Sequence, residues 1–320
     1  MNNNMGSGKL RIAGTGLTGL VGSRVCQVLS QSFQFISLNR STGLDITDAD
    51  NVYKSIQRSN ADMVLHLAAK TDVDACEQEK TEDIKKLRNG DIKNIRIADI
   101  DYDLWKGSHS CFGVNVVGTY QVAAACRKLN KKLIYISTDV VFDGTEKKPY
   151  MEYDLPNPIN FYGQSKWMGE KIVQNMVKDH LILRIAYPYG IAPHQSKDDF
   201  VRKIAKRLST KQQVNIIVDQ IVTPTLIDDL ANALRLLLSG NTTGIIHAVG
   251  SEPLTPYQAA LALAARFRYD TSLIKTITLD DYYQGKAHRP RYLSIDNSNI
   301  RSLGVRMSTF EEGLKQITQI

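Results

Sequence analysis

The sequence predicts an α/β protein built on a doubly wound parallel sheet, and three features carry that expectation. Short apolar runs that suit buried strands recur along the chain, helical periodicities separate them, and the first run ends in a glycine-rich turn. Near-continuous apolar strands need helices on both faces of the sheet to bury them.

Taken in order, Lys9 to Ala13 reads as the first strand and runs into glycines at 14, 16, 19 and 22. Val21, Val25, Val28 and Leu29 then recur at helical spacing, so the segment reads strand, tight turn, helix. Phe33 to Leu38, Asp62 to Leu67 and Lys132 to Ser137 are further strands, and Leu181 to Arg184 is another. Among the helices between them, Asn115 to Cys126 is the clearest. Later, Val214 to Val218 and Gly244 to Ala248 read as strands and Asp228 to Leu238 as a helix. Thr255-Pro-Tyr-Gln258 opens one more helix, with Thr255 as cap, Pro256 in the first turn and Gln258 able to reach back. No internal repeat or low-complexity segment interrupts this order.

Composition narrows the class. A chain of 320 residues can bury a substantial core as one large domain or two intimate ones. Its formal charge is +7, but the basic residues are scattered without an aromatic-basic strip, which argues against nucleic acid and suits anionic small molecules. No apolar run approaches the length of a membrane span, and no apolar signal core opens the chain, so no membrane partner is expected. Cys26, Cys76, Cys111 and Cys126 lack metal or redox spacing, and read as free thiols in a reducing compartment such as the cytoplasm. No cluster of His, Cys and carboxylates suggests a metal. Residues 1–8 read as a disordered leader.

Chemistry enters with the glycine turn and with Asn160-Phe-Tyr-Gly-Gln-Ser-Lys166. Glycines let the backbone approach a pyrophosphate closely, and a helix N-terminus offers unpaired N–H groups and a positive dipole end. Tyr162 and Lys166 stand one helical turn apart, after the strand that ends in Ser137-Thr138-Asp139. A nearby ammonium is expected to favour the ionised phenol, giving a tyrosine that exchanges protons with a carbonyl or alcohol oxygen. At the end of the second strand, where an acidic residue commonly takes the ribose hydroxyls of NAD, the chain reads Leu38-Asn39-Arg40-Ser41. With no carboxylate there and an arginine able to bind a 2′-phosphate, NADP(H) is the preferred cofactor and NAD(H) the second choice.

These motifs resemble the extended short-chain dehydrogenase/reductases and, within them, the dTDP-4-dehydrorhamnose reductase family. The resemblance runs from about residue 9 along nearly the whole chain. It rests on Thr15-Gly-Leu-Thr-Gly-Leu-Val-Gly22, Leu44-Asp-Ile-Thr-Asp48, His66-Leu-Ala-Ala-Lys-Thr-Asp-Val-Asp74, Asn115-Val-Val-Gly-Thr119, Ile136-Ser-Thr-Asp-Val-Val-Phe-Asp-Gly144 and Tyr162-Gly-Gln-Ser-Lys166. Arg184, Tyr189-Gly190, Asp219 to Thr225 leading into Asp228-Asp-Leu-Ala231, and His288 to Asp296 extend it. It implies a Rossmann-type domain over residues 9–190, with 212–250 returning to it, and a smaller α/β lobe over most of 191–320 that closes on a nucleotide-sugar.

By the same resemblance Thr138, Tyr162 and Lys166 are the catalytic triad. The cofactor site implied comprises Gly14, Gly16, Leu17, Thr18, Gly19, Leu20 and Val21 in the turn, then Asn39, Arg40, Ser41, Asp45 and Ile46 on the adenine side. Leu67, Ala68, Ala69, Lys70, Asn115, Ile136, Ser137 and Tyr189 complete it, with Tyr162 and Lys166. Substrate would meet Thr71, Val73, Thr138, Asp139, Val140, Tyr162 and Arg289, and Arg291 is weighed evenly between sugar-phosphate contact and surface pairing. The implied activity is NADPH-dependent reduction of a nucleotide-linked 4-keto-6-deoxy sugar, for deoxysugar and polysaccharide biosynthesis. A redox-neutral nucleotide-sugar epimerase or dehydratase is one alternative. Another is a non-catalytic NADP-binding subunit resembling the methionine adenosyltransferase beta subunit, and a homodimer is left open.

Two substitutions depart from the reductase pattern: Val140 stands where tyrosine is common, and Pro188 replaces an apolar residue. Residues 78–110, dense in both signs of charge and longer than the family's connection, are expected to be largely a solvated excursion.

Overall fold

The computed structural model describes residues 9–87, 92, 95–191 and 198–318. The leader at 1–8 lies outside them. Six parallel strands form the central sheet: β1 (Leu10–Thr15), β2 (Phe33–Leu38), β3 (Met63–His66), β4 (Lys132–Thr138), β5 (His180–Ile185) and, far downstream, β9 (Gly244–His247). Their order is β2-β1-β3-β4-β5-β9, so the winding reverses between β1 and β3. Ligands collect at such a switch point, outside the carboxyl ends of the strands. Register aligns those ends: Thr15 pairs with His66, and Ser137 and Thr138 with Arg184 and Ile185.

Each face of the sheet has its own core. On one side α1 (Leu20–Leu29) packs beside α7 (Ile227–Ser239), burying Val25, Leu29, Leu230, Leu234 and Leu237 against Ile12, Leu65, Ile134 and Leu183. On the other lie α2 (Ala49–Ser59), α3 (Val73–Lys85), α4 (Thr119–Lys128) and α5 (Phe161–Met176), over Val64, Leu133, Tyr135 and Ile182. The helix read from Asn115 opens as a π-helical turn, Gly113–Gly118, before becoming α4. Thr119 donates its hydroxyl to Asn115 O at 2.7 Å within it. Single π turns recur at functional sites, and this one delivers Asn115 to the sheet edge.

The expectation for 78–110 is corrected. Ile95 and Ile100 are buried in the main core and Trp105 is 0% exposed, tilted against Phe112 with ring centroids 4.6 Å apart. Tyr102 stacks on Tyr120 of α4 at 3.7 Å. Arg96, Asp101, Asp103 and Lys106 lie at the surface, while Ile95, Ile100, Tyr102 and Trp105 dock on the helical layer.

The remainder forms a smaller α/β unit. β7 (Val214–Ile217) pairs in parallel with β10 (Ile274–Ile277), and α6 (Phe200–Ser209) and α8 (Pro256–Phe267) pack on them. Two short strands, β6 (Pro188–Tyr189) and β8 (Thr225–Leu226), join the units. Within 212–250, α7 and β9 belong to the large sheet's layers, whereas β7 lies with β10, because Val214, Ile216 and Ile274 bury against Ala260 and Ala264 of α8. The Thr255/Gln258 capping box starts α8 as the sequence indicated.

Candidate active site

β1 delivers its chain to the turn at Gly16, where φ is +72° and a Cβ would sit 2.6 Å from Ala68 N. Only glycine takes that conformation so close to another backbone. Gly22 is equally constrained, since a Cβ there would lie 2.5 Å from Gly16 O. Gly19 caps α1 without a side-chain hydrogen bond, and no acidic residue occupies the first turn. Positive dipole and backbone N–H groups therefore stand ready for an anion. Leu17 turns inward to the core, so its backbone is what the turn presents.

Across the switch point, the end of β3 is held by Asn115. Its Oδ1 accepts from Lys70 N at 2.8 Å, and its Nδ2 donates to Lys70 O at 3.0 Å and to Ser165 Oγ at 2.9 Å. Asn115 is wholly buried and through these bonds shapes the Ala68–Lys70 wall. His66 beneath is fixed by Thr15 and Thr119, and burial drives its pKa down to about 3, leaving a neutral structural imidazole.

The proton-transfer residues meet at the carboxyl end of β4. Thr138 caps a short 3₁₀ turn, accepting from Val140 N at 3.3 Å and donating to Asp139 Oδ1 at 3.0 Å. α5 begins at Asn160, whose side chain accepts from Gly163 N, and Glu77 of α3 accepts from Phe161 N at 2.8 Å. That start places Tyr162 beside Thr138, close enough for the hydroxyl to act on the phenol. One turn on, Lys166 Nζ donates to Ile136 O at 2.8 Å and sits 4.0 Å above the Tyr135 ring.

The electrostatics differ from the sequence expectation. Burial raises the Tyr162 pKa well above the ordinary phenol value; the Thr138 hydrogen bond only partly offsets it, and Asp139 adds to it. Lys166 does not acidify the phenol, because its ammonium faces Ile136 O and is itself pushed down to about 7 by burial, against the pull of Glu170. Tyr162 is thus held as a neutral donor. Asp139, 2% exposed, is pushed up to about 7 by burial despite its bond from Thr138. Its Oδ2 and the buried Ser137 Oγ have no hydrogen-bond partner among the described residues. Two polar atoms at a strand end, beside a glycine cradle, fit a polar cofactor and substrate laid across the switch point.

On the adenine side Asn39 caps a 3₁₀ turn through Arg40, Ser41 and Thr42. Arg40 is exposed there, and Asp45 forms the following turn by accepting from Thr47. Ile46 packs under Gly118, where a Cβ would lie 3.0 Å from its Cγ2.

On the lobe side Thr71 and Val73 flank Asp72, the cap of α3, and Asp74 pairs with Arg289 at 2.8 Å. Arg289 also lies 4.5 Å over the Tyr283 ring. Arg291 is paired with Asp219 and Asp280.

Tyr189 is not brought to the site. It is 1% exposed in the lobe core with Phe200, Leu226 and Phe310, and its hydroxyl donates to Phe310 O at 3.4 Å. Sequence reasoning missed its neighbour Tyr187, whose phenol lies within electrostatic reach of Asp139, Arg289 and Gln220. Tyr187 has φ +40°, a conformation uncommon for a non-glycine residue and concentrated at functional sites. Arg184 is structural too, chelated by Glu170 at 2.9 and 2.8 Å with both side chains 2% exposed.

Comparison with known proteins agrees with this geometry. The family model described as the RmlD substrate binding domain matches residues 10–93 and 106–320. The spore coat polysaccharide biosynthesis protein SpsK of Bacillus subtilis is 29% identical over 95% of this chain and 95% of its own. The beta subunit of methionine adenosyltransferase 2 from Bos taurus is 34% identical over 63% of this chain and 62% of its own. Among solved structures, dTDP-4-dehydrorhamnose reductase from Bacillus anthracis in complex with NADP superposes with a TM-score of 0.81 at 26% identity, covering 97% of this chain and 98% of that one. This protein belongs to the RmlD substrate binding domain family, the dTDP-4-dehydrorhamnose reductase family to which its motifs point.

Proposed function

We infer that the protein reduces the 4-keto group of a nucleotide-linked 4-keto-6-deoxy sugar with NADPH, yielding an activated deoxyhexose. The observation that carries this reading is the meeting of Thr138, Tyr162 and Lys166 at the end of β4, across the switch point from the Gly16 turn. When bound, the dinucleotide supplies hydride to the carbonyl carbon. Gly16, Gly19 and the first turn of α1 would hold its pyrophosphate, Arg40 its 2′-phosphate, and Ser137 and Lys166 the nicotinamide end. Thr138 would hydrogen-bond the substrate oxygen. Tyr162 would give that oxygen a proton as negative charge develops on it, and its raised pKa keeps the proton available. The sugar would lie among Asp139, Val140, Tyr187 and Arg289, with Thr71 and Val73 at the entrance.

One observation favours a redox-neutral conversion as second reading: Asp139 is a buried carboxyl able to gain or lose a proton near neutrality. A purely regulatory role is disfavoured by the complete triad. Free thiols at Cys26, Cys76, Cys111 and Cys126 are in keeping with the cytoplasm, and no helix among the described residues is long and apolar enough to cross a membrane.

The test is loss of nicotinamide absorbance when NADPH or NADH is mixed with a panel of nucleotide-linked 4-keto-6-deoxy sugars, dTDP forms first. Rapid oxidation of NADPH by one member identifies the substrate. A protein that binds NADPH but oxidises it with none of the panel is not this reductase.

A further inference from the structure

Residues 94–105 lie between the two stretches that match the family model, so they are an addition of this chain. Their apolar residues anchor it: Trp105 against Phe112, Tyr102 against Tyr120, with Lys86 4.8 Å over the Trp105 ring. From that anchor the chain returns along the adenine side of the cofactor site, and four contacts follow within four residues. Lys106 pairs with Asp48 at 2.8 Å, and Gly107 N donates to Thr47 Oγ1 at 2.8 Å. His109 Nδ1 meets Arg40 Nη2 at 2.6 Å, and its carbonyl accepts from Lys70 Nζ at 3.4 Å. The end of β2, the turn before α2 and the end of β3 are thereby tied to one short segment.

We propose that His109, in the short stretch that follows this added segment and is anchored by it, is a positioning residue for cofactor selectivity that holds the Arg40 guanidinium where a 2′-phosphate arrives. The proposal rests on the reading of Arg40 as the 2′-phosphate ligand. Arginine only donates, so the contact requires an unprotonated Nδ1 and places the imidazole proton on Nε2. A neutral acceptor fixes one arm of the guanidinium without spending its charge. The other N–H groups of Arg40 have no partner among the described residues, and the planar fork remains able to take a phosphate oxygen. An arginine on an exposed turn otherwise loses rotamer freedom on binding, so holding it beforehand improves affinity for the phosphorylated cofactor alone.

The experiment is direct binding of NADPH and NADH, by calorimetry or cofactor fluorescence, to the wild type and to His109→Ala, His109→Gln and Arg40→Ala. His109 is exposed, and unchanged melting temperatures check that its variants fold. His109→Ala is expected to weaken NADPH about 5- to 20-fold and to leave NADH within about twofold. His109→Gln, which keeps an acceptor, restores most of the loss. Equal loss for both cofactors, or no loss in His109→Ala while Arg40→Ala weakens NADPH selectively, overturns the role of His109 and leaves that of Arg40. If Arg40→Ala does not change the NADPH to NADH ratio, the reading of Arg40 falls and the proposal falls with it.

Discussion

Burial and charge pull Lys166 in opposite directions. It is 3% exposed and its pKa falls to about 7 from 10.5. Between those values the unfolded chain holds a proton that the folded chain releases, so stability rises with pH across that window; below pH 7 the full penalty remains. Lys166→Met should therefore raise stability by about 1–3 kcal/mol at pH 6.5 and by less at pH 9.5, in denaturant titrations at the two pH values. An equal effect at both would mean the amine is not a buried cation. Tyr162→Phe should lower kcat/KM at least about 100-fold with NADPH affinity within about twofold, since it removes the proton donor and keeps the ring in place. Steady-state rates beside direct binding check this, and full activity removes the donor assignment. Spacing alone made the Tyr162/Lys166 pair legible. The direction of the phenol's pKa was not, because it depends on how deep α5 sits and on the Ile136 carbonyl that draws the ammonium away.

At the scale of elements, strands rich in apolar residues are legible nearly residue for residue, as β2 shows. The glycine turn was equally plain, because close backbone approach leaves a compositional trace. The added segment before α4 was misread for a physical reason: its charges are local, whereas the burial of Ile95, Ile100 and Trp105 needs partners on a helix that follows it in sequence. Trp105→Ala should cost about 3–5 kcal/mol in urea denaturation, the range for emptying a large aromatic site in a core. A change within about 0.5 kcal/mol would restore the picture of a solvated loop. The π-helical turn at Gly113–Gly118 has no periodic signature of its own and becomes intelligible only through the hydrogen bonds of Asn115.

Over the whole molecule, the site is closed by contacts that join residues far apart in sequence. Segment 287–291 crosses from the small unit to α3 and α5: Ala287 N and Arg289 donate to Asp74, and Asn160 donates to His288 O at 2.9 Å. On the other flank Arg24 of α1 chelates Asp228 of α7 at 2.6 Å through two nitrogens. Asp228 thereby joins α1 to α7 away from the chemistry, whereas Arg289 ties the small unit to α3 beside the proposed sugar site. The sequence places Asp74 and Arg289 in two separate motifs; only the fold shows that these residues, 215 positions apart, share a hydrogen bond.

The central claim is net hydride transfer from nicotinamide to the sugar, with Tyr162 supplying the proton. It is tested most directly by incubating the enzyme with NADPH deuterated at the transferable C4 position of the ring and a dTDP-linked 4-keto-6-deoxy sugar, then locating the label. One deuterium at C4 of the sugar, with one NADPH oxidised per sugar reduced, is the result predicted. A rearranged sugar that carries no deuterium, formed without net cofactor oxidation, would contradict the reductase account and assign the triad and Asp139 to a redox-neutral conversion.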